Sequence, residues 1–393
     1  MGPRRHPTTP TTDEFGGDAG GLQGGSKVES RGEEQGKGVG GRRQGQGERL
    51  YAGFVDLQVN GYLGTSFSSM ELTYESCVQA CVAILERGGC CAIVPTVITA
   101  PPAVYEHVLP ILAEAIENEP RLRGRILGLH LEGPFISGLK GAVGTHPASC
   151  VLPPASADGI ALLERWQRLA RGHIKLLTIA AEADGAAAFC AHATSKMGMR
   201  VSLGHMLAAG PEISALAAAG ATLLTHLGNG CPNEIHRHKN HLWPTLSDDR
   251  LSAMLITDGQ HLPPDAIACF MRCKGIARTI ITSDVAPVAG LPDGEYACFG
   301  GHVYVEGKYV RNADRTCLAG SGALMLDCMN HLASLSLKPL PGETAPLSVE
   351  QLMDMGFANP LRAVGLDPDA VAKERLACDG AKVAFEGGQF RLV

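Results

Sequence analysis

From Leu50 onward, short apolar runs alternate along the chain with longer segments that carry apolar residues every three or four positions. A short run that is largely apolar is typical of a strand buried on both faces of a parallel sheet. Eight runs fit this description: Phe54–Val59, Ala92–Val97, Ile126–Leu131, Ile174–Ala180, Arg200–Leu203, Thr222–Thr225, Ala253–Thr257 and Thr279–Thr282. The intervening segments have the spacing of helices with one apolar face: Tyr74–Arg87, Val104–Glu117, Gly159–Ala170, Ala186–Met197, Pro211–Ala218 and Pro264–Lys274.

This order of elements indicates an α/β fold. Strands that alternate with helices predict a parallel sheet, because the chain must cross back before it can begin the next parallel strand. Eight such units over roughly 230 residues predict a closed (β/α)8 barrel of the TIM type. The alternative is an open, doubly wound sheet, which is disfavoured because no GxGxxG motif follows the first strand.

The two ends of the chain depart from this pattern. Residues 1–48 are rich in glycine and nearly free of large apolar residues, so we expect a disordered tail; a transit peptide and a mistaken start site are the alternatives. We place the barrel domain at residues 49–366 and expect a hairpin within 290–322, followed by helices at Ala323–Leu335 and Val349–Asn359. Residues 367–393 are expected to form a C-terminal β-hairpin of a small, reduced β-sandwich.

Composition narrows the class of protein. The chain of 393 residues is 45% hydrophobic and 19% charged, as in soluble globular proteins, and its net charge of -6 offers no overall attraction for nucleic acid. No apolar run of about 18 residues is present, so no membrane span or membrane partner is expected. Thirteen scattered cysteines predict reduced thiols and a cytoplasmic location.

Polar residues suited to catalysis follow several of the predicted strands. In a barrel of this type, catalytic side chains lie at the carboxyl ends of the strands, which share one mouth. The third strand is followed by Glu132, the fifth by His205, the sixth by His226 and the eighth by Asp284. A carboxylate and two imidazoles can hold a metal ion and leave a position open for water, as catalytic sites do.

We therefore expect Glu132, His205 and His226 to bind one divalent ion per chain. Zn²⁺ fits these ligands, and Fe²⁺, Co²⁺ and Mn²⁺ also bind imidazole and carboxylate. Asp284 is then the expected general base and acid, with a helix N-cap as its structural alternative. His261 follows the seventh strand and is expected to orient a substrate carbonyl or hydroxyl, unless it is a loop histidine with a structural hydrogen bond.

A cluster of basic residues follows the sixth strand. Within residues 233–241, Arg237 stands among three histidines and Lys239. Arginine binds phosphate oxygens in a bidentate fashion, so this stretch is either a phosphate clamp or a solvated charged loop.

These residues stand in segments that resemble N-acetylglucosamine-6-phosphate deacetylases, a family of the amidohydrolase superfamily. The resemblance runs from about Gly53 to Leu366 and is carried by GFVDLQVNG (53–61), GLHLEGPFIS (128–137), SLGH (202–205), GATLLTHLGN (220–229), DDRLSAMLITDGQHL (248–262), TSDVAPVAG (282–290) and LAGSGALMLD (318–327). It implies a barrel of the metal-dependent hydrolase type that removes acetate from N-acetylglucosamine 6-phosphate in amino-sugar catabolism.

The resemblance also implies individual roles. Glu132, His205 and His226 match the family's metal ligands, Asp284 its acid/base and His261 a substrate-binding histidine.

Phosphate recognition is implied at a second group of positions. Asn229, Gly230 and Cys231 stand where the family binds phosphate, and Arg237 matches an arginine that reaches the substrate of the neighbouring subunit, which implies a homodimer.

Several positions depart from the family's pattern. Gln58 and Asn60 replace the two histidines that hold a second metal in other amidohydrolases, so a single-metal site is expected. Gly228 stands where the family has an aromatic residue, which predicts a more open wall near the sugar. The family's KGAH motif ends here in Val143, and His146 is expected to replace its histidine after a short insertion.

Two other functions remain open from the sequence. The chain could be an amidohydrolase that acts on another N-acetyl amino sugar, phosphorylated or free, or on another N-acyl compound. It could also be a non-enzymatic relative, which the presence of all three ligands and Asp284 disfavours.

Overall fold

We describe the chain from a computed structural model, which covers residues 41–43, 49–154, 157–337 and 345–393. Most of the segment for which the sequence predicts disorder, residues 1–40 and 44–48, lies outside the described residues. Residues 41–43 are the exception, because they form a strand that pairs with the strand following it.

The described residues contain seventeen strands and eleven α-helices. The strands are β1 (Gly41–Arg43), β2 (Arg49–Ala52), β3 (Phe54–Val59), β4 (Gly61–Tyr62), β5 (Thr65–Ser66), β6 (Cys90–Ile98), β7 (Leu129–Glu132), β8 (Ile174–Ile179), β9 (Arg200–Leu203), β10 (Ala221–Leu224), β11 (Ser252–Ile256), β12 (Thr279–Thr282), β13 (Gly294–Cys298), β14 (Gly301–Glu306), β15 (Tyr309–Asn312), β16 (Lys382–Glu386) and β17 (Gln389–Leu392). The helices are α1 (Tyr74–Arg87), α2 (Pro102–Asn118), α3 (Ala157–Leu169), α4 (Ala186–Ser195), α5 (Gly210–Ala218), α6 (Leu242–Ser247), α7 (Pro264–Lys274), α8 (Met325–Ser334), α9 (Val349–Met353), α10 (Asn359–Ala363) and α11 (Pro368–Ala377).

Eight strands form one parallel sheet in the order β3, β6, β7, β8, β9, β10, β11, β12. Each corresponds to one of the eight apolar runs, so the predicted (β/α)8 barrel is confirmed. The sheet closes between its first and last strands, where Asn60 N donates a hydrogen bond to Val285 O over 3.0 Å. The strands are almost wholly buried because helices cover their outer surface.

Local sequence explains where the helices begin and end. Thr73 caps α1 by accepting a hydrogen bond from Ser76 N, and the Ser76 side chain completes a capping box. Helix α7 begins at Pro264 and ends before Gly275, whose φ of 69° suits glycine. Helices α6 and α11 were not predicted: α6 has only six residues, and α11 buries only Pro368 and Ala372.

Besides the two-stranded hairpin of β4 and β5, the described residues form two further small sheets. The stretch in which a hairpin was expected forms three antiparallel strands, β13 to β15, around a small apolar core that includes Val303, Val305 and Val310. The other sheet has the order β1, β2, β16, β17. It contains the predicted C-terminal hairpin, and residues 41–43 and 49–52 supply its other strands; α11 precedes the hairpin within 367–393.

A membrane-spanning helix is absent from the described part of the chain, since none of its helices is long and apolar enough.

Candidate active site

The candidate catalytic residues meet at the carboxyl ends of the barrel strands. Glu132 is the last residue of β7, while His205, His226 and Asp284 lie two residues beyond β9, β10 and β12. All four line one cavity of about 990 Å³. This is the mouth at which barrels of this type carry their catalytic groups.

The backbone turns abruptly at three of these positions. His205 has a φ of 48°, His226 of 28° and Asp284 of 51°, in or near the left-handed region that residues with a side chain seldom adopt. Backbone strain of this kind clusters at functional sites, where the surrounding fold holds it in place. Here it ends each strand and turns the side chain into the shared cavity.

Three possible metal ligands converge on one point. Glu132 Oε1 lies 3.2 Å from His205 Nε2 and 2.8 Å from His226 Nε2, and the two imidazole nitrogens are 3.1 Å apart. Their ligand atoms all lie within 4.8 Å of one another, and all three residues are buried. No other group of this kind occurs among the residues that the structure describes.

Hydrogen bonding shows that this donor set fits a divalent ion. His205 Nδ1 lies 2.8 Å from Ala142 O, and a carbonyl only accepts, so Nδ1 carries the proton. The neutral ring then presents the lone pair of Nε2 to the site, as a metal ligand requires. With one carboxylate and two imidazoles, the site has the composition of a catalytic metal centre with room for water.

Two amides hold the carboxylate of Asp284. Gln58 Nε2 donates to Asp284 Oδ1 over 2.9 Å, and Asn60 Nδ2 donates to the same oxygen over 2.8 Å. The other oxygen, Oδ2, accepts no hydrogen bond from the described residues. The amides therefore orient the carboxylate and leave one oxygen available to the cavity.

Burial and the nearby charge of Glu132 raise the pKa of Asp284 to about 6. The charge of His226 and the hydrogen bond from Asn60 act in the opposite direction. A general base works best with a pKa near the operating pH, so this environment suits the role predicted for Asp284.

His261 also lines the cavity and is held there by Asp258. Its Nδ1 lies 2.8 Å from Asp258 Oδ2, which also accepts a hydrogen bond of 2.8 Å from Ser321 Oγ. Burial alone would raise the pKa of Asp258, but the hydrogen bond and charge of His261 outweigh it and lower that pKa. Nδ1 is thus occupied, and Nε2 is the nitrogen left for a substrate.

His146 also lies in the site. Its Nδ1 is 2.9 Å from Thr99 Oγ1, its Nε2 is 3.8 Å from Glu132 Oε2, and its ring centroid is 4.3 Å from that of His205. Burial, followed by the charge of His205, lowers the pKa of His146 to about 3, so the ring is neutral. The structure thus brings His146 to the cavity, beside Glu132 and His205.

The loop after β10 forms another wall. Asn229, Gly230 and Cys231 line the cavity. Gly230 has a φ of 61°, and a Cβ there would lie 3.0 Å from His205 Nδ1 and from His226 Cε1. Only glycine fits so close to the two imidazoles, so this loop lies directly against the candidate metal centre.

Arg237 is the one predicted site residue that the structure does not bring to the cavity of its own chain. It is exposed, on a loop that is well held: Trp243 Nε1 donates to Arg237 O over 2.7 Å, and Asn240 Nδ2 donates to His236 O over 2.8 Å. The loop therefore presents the guanidinium outward.

Sequence reasoning missed the residues that support the site. Asp56, inside β3, accepts hydrogen bonds from Thr282 Oγ1 at 2.6 Å and from Ser283, next to Asp284. Asp258 orients His261 as described above. The only signal in the sequence was an acidic residue within or directly after an apolar run. That pattern does not distinguish a buried carboxylate that supports the site from an exposed one.

Known proteins match most of the chain. It is 31% identical over 333 residues to N-acetylglucosamine-6-phosphate deacetylase of Homo sapiens, covering 83% of this chain and 77% of that protein. The chain belongs to the N-acetylglucosamine-6-phosphate deacetylase family. It is also 31% identical over 287 residues to N-acetylgalactosamine-6-phosphate deacetylase of a Shewanella strain, covering 72% of this chain and 68% of that protein.

The fold of this chain is similar to that of a deacetylase whose structure has been solved. The crystal structure of N-acetyl-D-glucosamine-6-phosphate deacetylase from Mycobacterium smegmatis matches with a TM-score of 0.74 and 25% identity, over 88% of this chain and 85% of that one. No protein-family model matches the chain.

One departure from the deacetylase pattern has a structural counterpart. A Cβ at Gly228 would lie 2.8 Å from Phe270 Cε2 and 2.9 Å from Leu262 Cδ2, and the φ of Gly228 is 92°. Side chains from α7 and from the loop before it therefore fill the space that a side chain at position 228 would take. Gly228 itself lines the cavity, and an aromatic side chain at this position would require Phe270 or Leu262 to move.

Proposed function

We propose that this chain hydrolyses N-acetylglucosamine 6-phosphate to glucosamine 6-phosphate and acetate. The observation that carries the proposal is the convergence of Glu132, His205 and His226 on one point beside the oriented carboxylate of Asp284. Membership of the deacetylase family supports the choice of substrate.

The three ligands would hold one divalent ion, with Zn²⁺ as the first candidate and Fe²⁺, Co²⁺ and Mn²⁺ as alternatives. When bound, such an ion acts as a Lewis acid and makes water a better nucleophile near neutral pH. Gln58 and Asn60 offer only neutral amides and already donate to Asp284, which supports a single ion.

Asp284 supplies the proton transfers that amide hydrolysis needs. Its free oxygen takes a proton as the water oxygen bonds to the acetyl carbon. It then returns that proton to the nitrogen as the carbon–nitrogen bond breaks, because an amide anion is too basic to leave alone. The products are acetic acid and the amine, which ionise in water to acetate and the ammonium form of the sugar, and Asp284 ends as a carboxylate.

The other cavity residues would hold the substrate. His261 and the neutral His146 are placed to contact the acetyl group or sugar hydroxyls, while Asn229, Gly230 and Cys231 would receive the phosphate. Arg237 faces away from its own cavity, which supports a homodimer in which it reaches the neighbouring subunit's phosphate.

The location proposed for the protein is the cytoplasm. All thirteen cysteines are free thiols, as expected in a reducing compartment.

A substrate comparison tests the function. We expect purified protein loaded with Zn²⁺ to release acetate from N-acetylglucosamine 6-phosphate far faster than from unphosphorylated N-acetylglucosamine. N-acetylgalactosamine 6-phosphate is the control for the sugar epimer. Preferential turnover of that epimer, or equal turnover of free and phosphorylated sugars, would contradict the proposal.

The dimer is tested by Arg237→Ala. Losing a charge-assisted contact to phosphate should cost roughly 2–4 kcal/mol of transition-state stabilisation, measured as the fall in kcat/KM for the phosphorylated sugar. The value of kcat/KM for the free sugar should not change. Mixing equal amounts of this variant and Asp284→Asn should restore about a quarter of wild-type activity, because random exchange makes half of the dimers mixed and each mixed dimer has one complete site. No restoration would contradict the arrangement across the interface.

A further inference from the structure

The cavity of each chain has a cationic side chain of its own. Lys140 lines the cavity and is exposed. Apart from histidines, it is the only basic residue among the described cavity-lining residues, whereas Glu132, Asp284 and Asp314 bring carboxylates. An anionic substrate entering this cavity therefore meets one fixed positive charge supplied by the same subunit.

Lys140 forms no ion pair or hydrogen bond with the described residues. Two lysines elsewhere in the chain do have partners: Lys308 Nζ lies 2.7 Å from Asp327 Oδ1, and the buried Lys274 donates to Asp248 O over 2.9 Å. The ammonium of Lys140 is thus free for a ligand. A lysine binds phosphate as a point charge with three donors and needs no bidentate geometry.

The loop that carries Lys140 contacts both the candidate metal centre and the proposed phosphate loop. Ala142 O accepts the hydrogen bond from His205 Nδ1. A Cβ on Gly141 would lie 2.8 Å from Pro232 Cα, so the backbone beside Lys140 packs against the residue that follows Cys231. These two contacts fix where Lys140 emerges into the cavity.

We infer that Lys140 is a specificity residue that binds the substrate's phosphate from within the same subunit, beside the backbone of residues 229–231. The inference rests on the function proposed above, because it takes a phosphate monoester as the ligand. Two side chains would then share the recognition of phosphate: Lys140 of the same subunit and the outward-facing Arg237 of a neighbouring one. A subunit would then retain part of its preference for phosphorylated sugars without that neighbour's arginine.

The test compares Lys140→Met with a matched control. Lys373→Met removes another exposed lysine with no ion pair among the described residues, on α11 and away from the cavity. Lys140→Met should raise KM for N-acetylglucosamine 6-phosphate about five- to tenfold with kcat nearly unchanged. Turnover of the unphosphorylated sugar should not change. Lys140→Arg should recover most of the loss, and Lys373→Met should match wild type.

A binding measurement separates this inference from the proposed function. Inorganic phosphate, titrated calorimetrically into the Zn²⁺-loaded protein, should bind Lys140→Met about five- to tenfold more weakly than wild type, and the difference should shrink at high salt. If wild type hydrolyses the phosphorylated sugar but Lys140→Met keeps its KM and its phosphate affinity, this inference alone fails. If wild type hydrolyses no N-acetyl sugar, the proposed function fails, and the titration still decides whether Lys140 binds phosphate.

Discussion

The two halves of the active site are held by different interactions. The metal half takes Glu132, His205 and His226 from β7, β9 and β10, which belong to one continuous run of hydrogen-bonded strands. The catalytic half takes Gln58 and Asn60 from the region of β3, and Asp284 from the end of β12. These are the first and last strands of the sheet, and they meet where the barrel closes.

Main-chain pairing is sparse at that closure. In the described chain, a bridge between Val59 and Val285 joins the two sides, with the hydrogen bond from Asn60 N to Val285 O. Side chains supply further connections: the Asp56 carboxylate accepts from Thr282 and Ser283, and the amides of Gln58 and Asn60 donate to Asp284. The comparison indicates that main-chain hydrogen bonds between neighbouring strands fix the metal half, whereas single side chains fix the position of the catalytic carboxylate.

The largest expected effect comes from Asp284→Asn. The variant cannot accept the proton from water, so kcat should fall by about 10⁴-fold or more, since one group serves as base and then acid. Elemental analysis should find the ion retained, because the three ligands are untouched. An inactive variant that has lost its ion would show that the two halves are not separable.

Substituting a ligand in the metal half should remove the ion together with the activity. His226→Ala leaves two ligands, so affinity for Zn²⁺ should fall by at least ~100-fold, and activity should fall with it. Wild-type protein stripped with a chelator should regain activity when Zn²⁺ is added back. A His226→Ala protein that keeps a full equivalent of ion after dialysis would contradict the assignment of the ligands.

Asp56→Ala tests the closure of the barrel. It removes the acceptor for Thr282 Oγ1, Ser283 N and Ser283 Oγ, so the free energy of unfolding should drop by about 3–5 kcal/mol. Denaturant titration measures this, with Ser202→Ala as the control. Ser202 Oγ lies 2.6 Å from Thr225 Oγ1 beneath the metal half, and its loss should cost about 1 kcal/mol. Equal losses would remove the distinction between the halves.

The smallest effect is a shift in pH dependence. The hydrogen bond from Asn60 stabilises the Asp284 carboxylate and opposes the rise of its pKa to about 6, so Asn60→Ala should raise that pKa further. More of the base is then protonated at any acidic pH. The acidic limb of the pH profile of kcat/KM should therefore lie about half a pH unit higher in the variant than in wild type. A bound ion lowers the pKa of Asp284 in both proteins, so the difference between the two profiles is the quantity to measure. A downward or absent shift would contradict the role of the amide.

The barrel strands, and the positions of Glu132, His205, His226 and Asp284 at their ends, could be predicted because each depends on a local pattern. The β12 run Thr279–Thr282 is bounded as predicted, and Asp284 lies two residues beyond it. Helix α11 was missed because only two of its residues are buried and its apolar residues form no continuous face. The contact between His146 and Glu132 could not be predicted from spacing, because His146 stands three residues beyond Val143, where the family's KGAH motif has its histidine.

By itself, the sequence determined which residues could do chemistry and at which strand ends they stand, because apolar periodicity and residue type are local properties. Only the tertiary structure decided which of them act together. The anchoring of Asp258 by Ser321, the anchoring of Asp284 by two amides and the packing of Phe270 against Gly228 all join residues from different elements or loops. Such contacts depend on the register and closure of the whole barrel, which no single segment encodes.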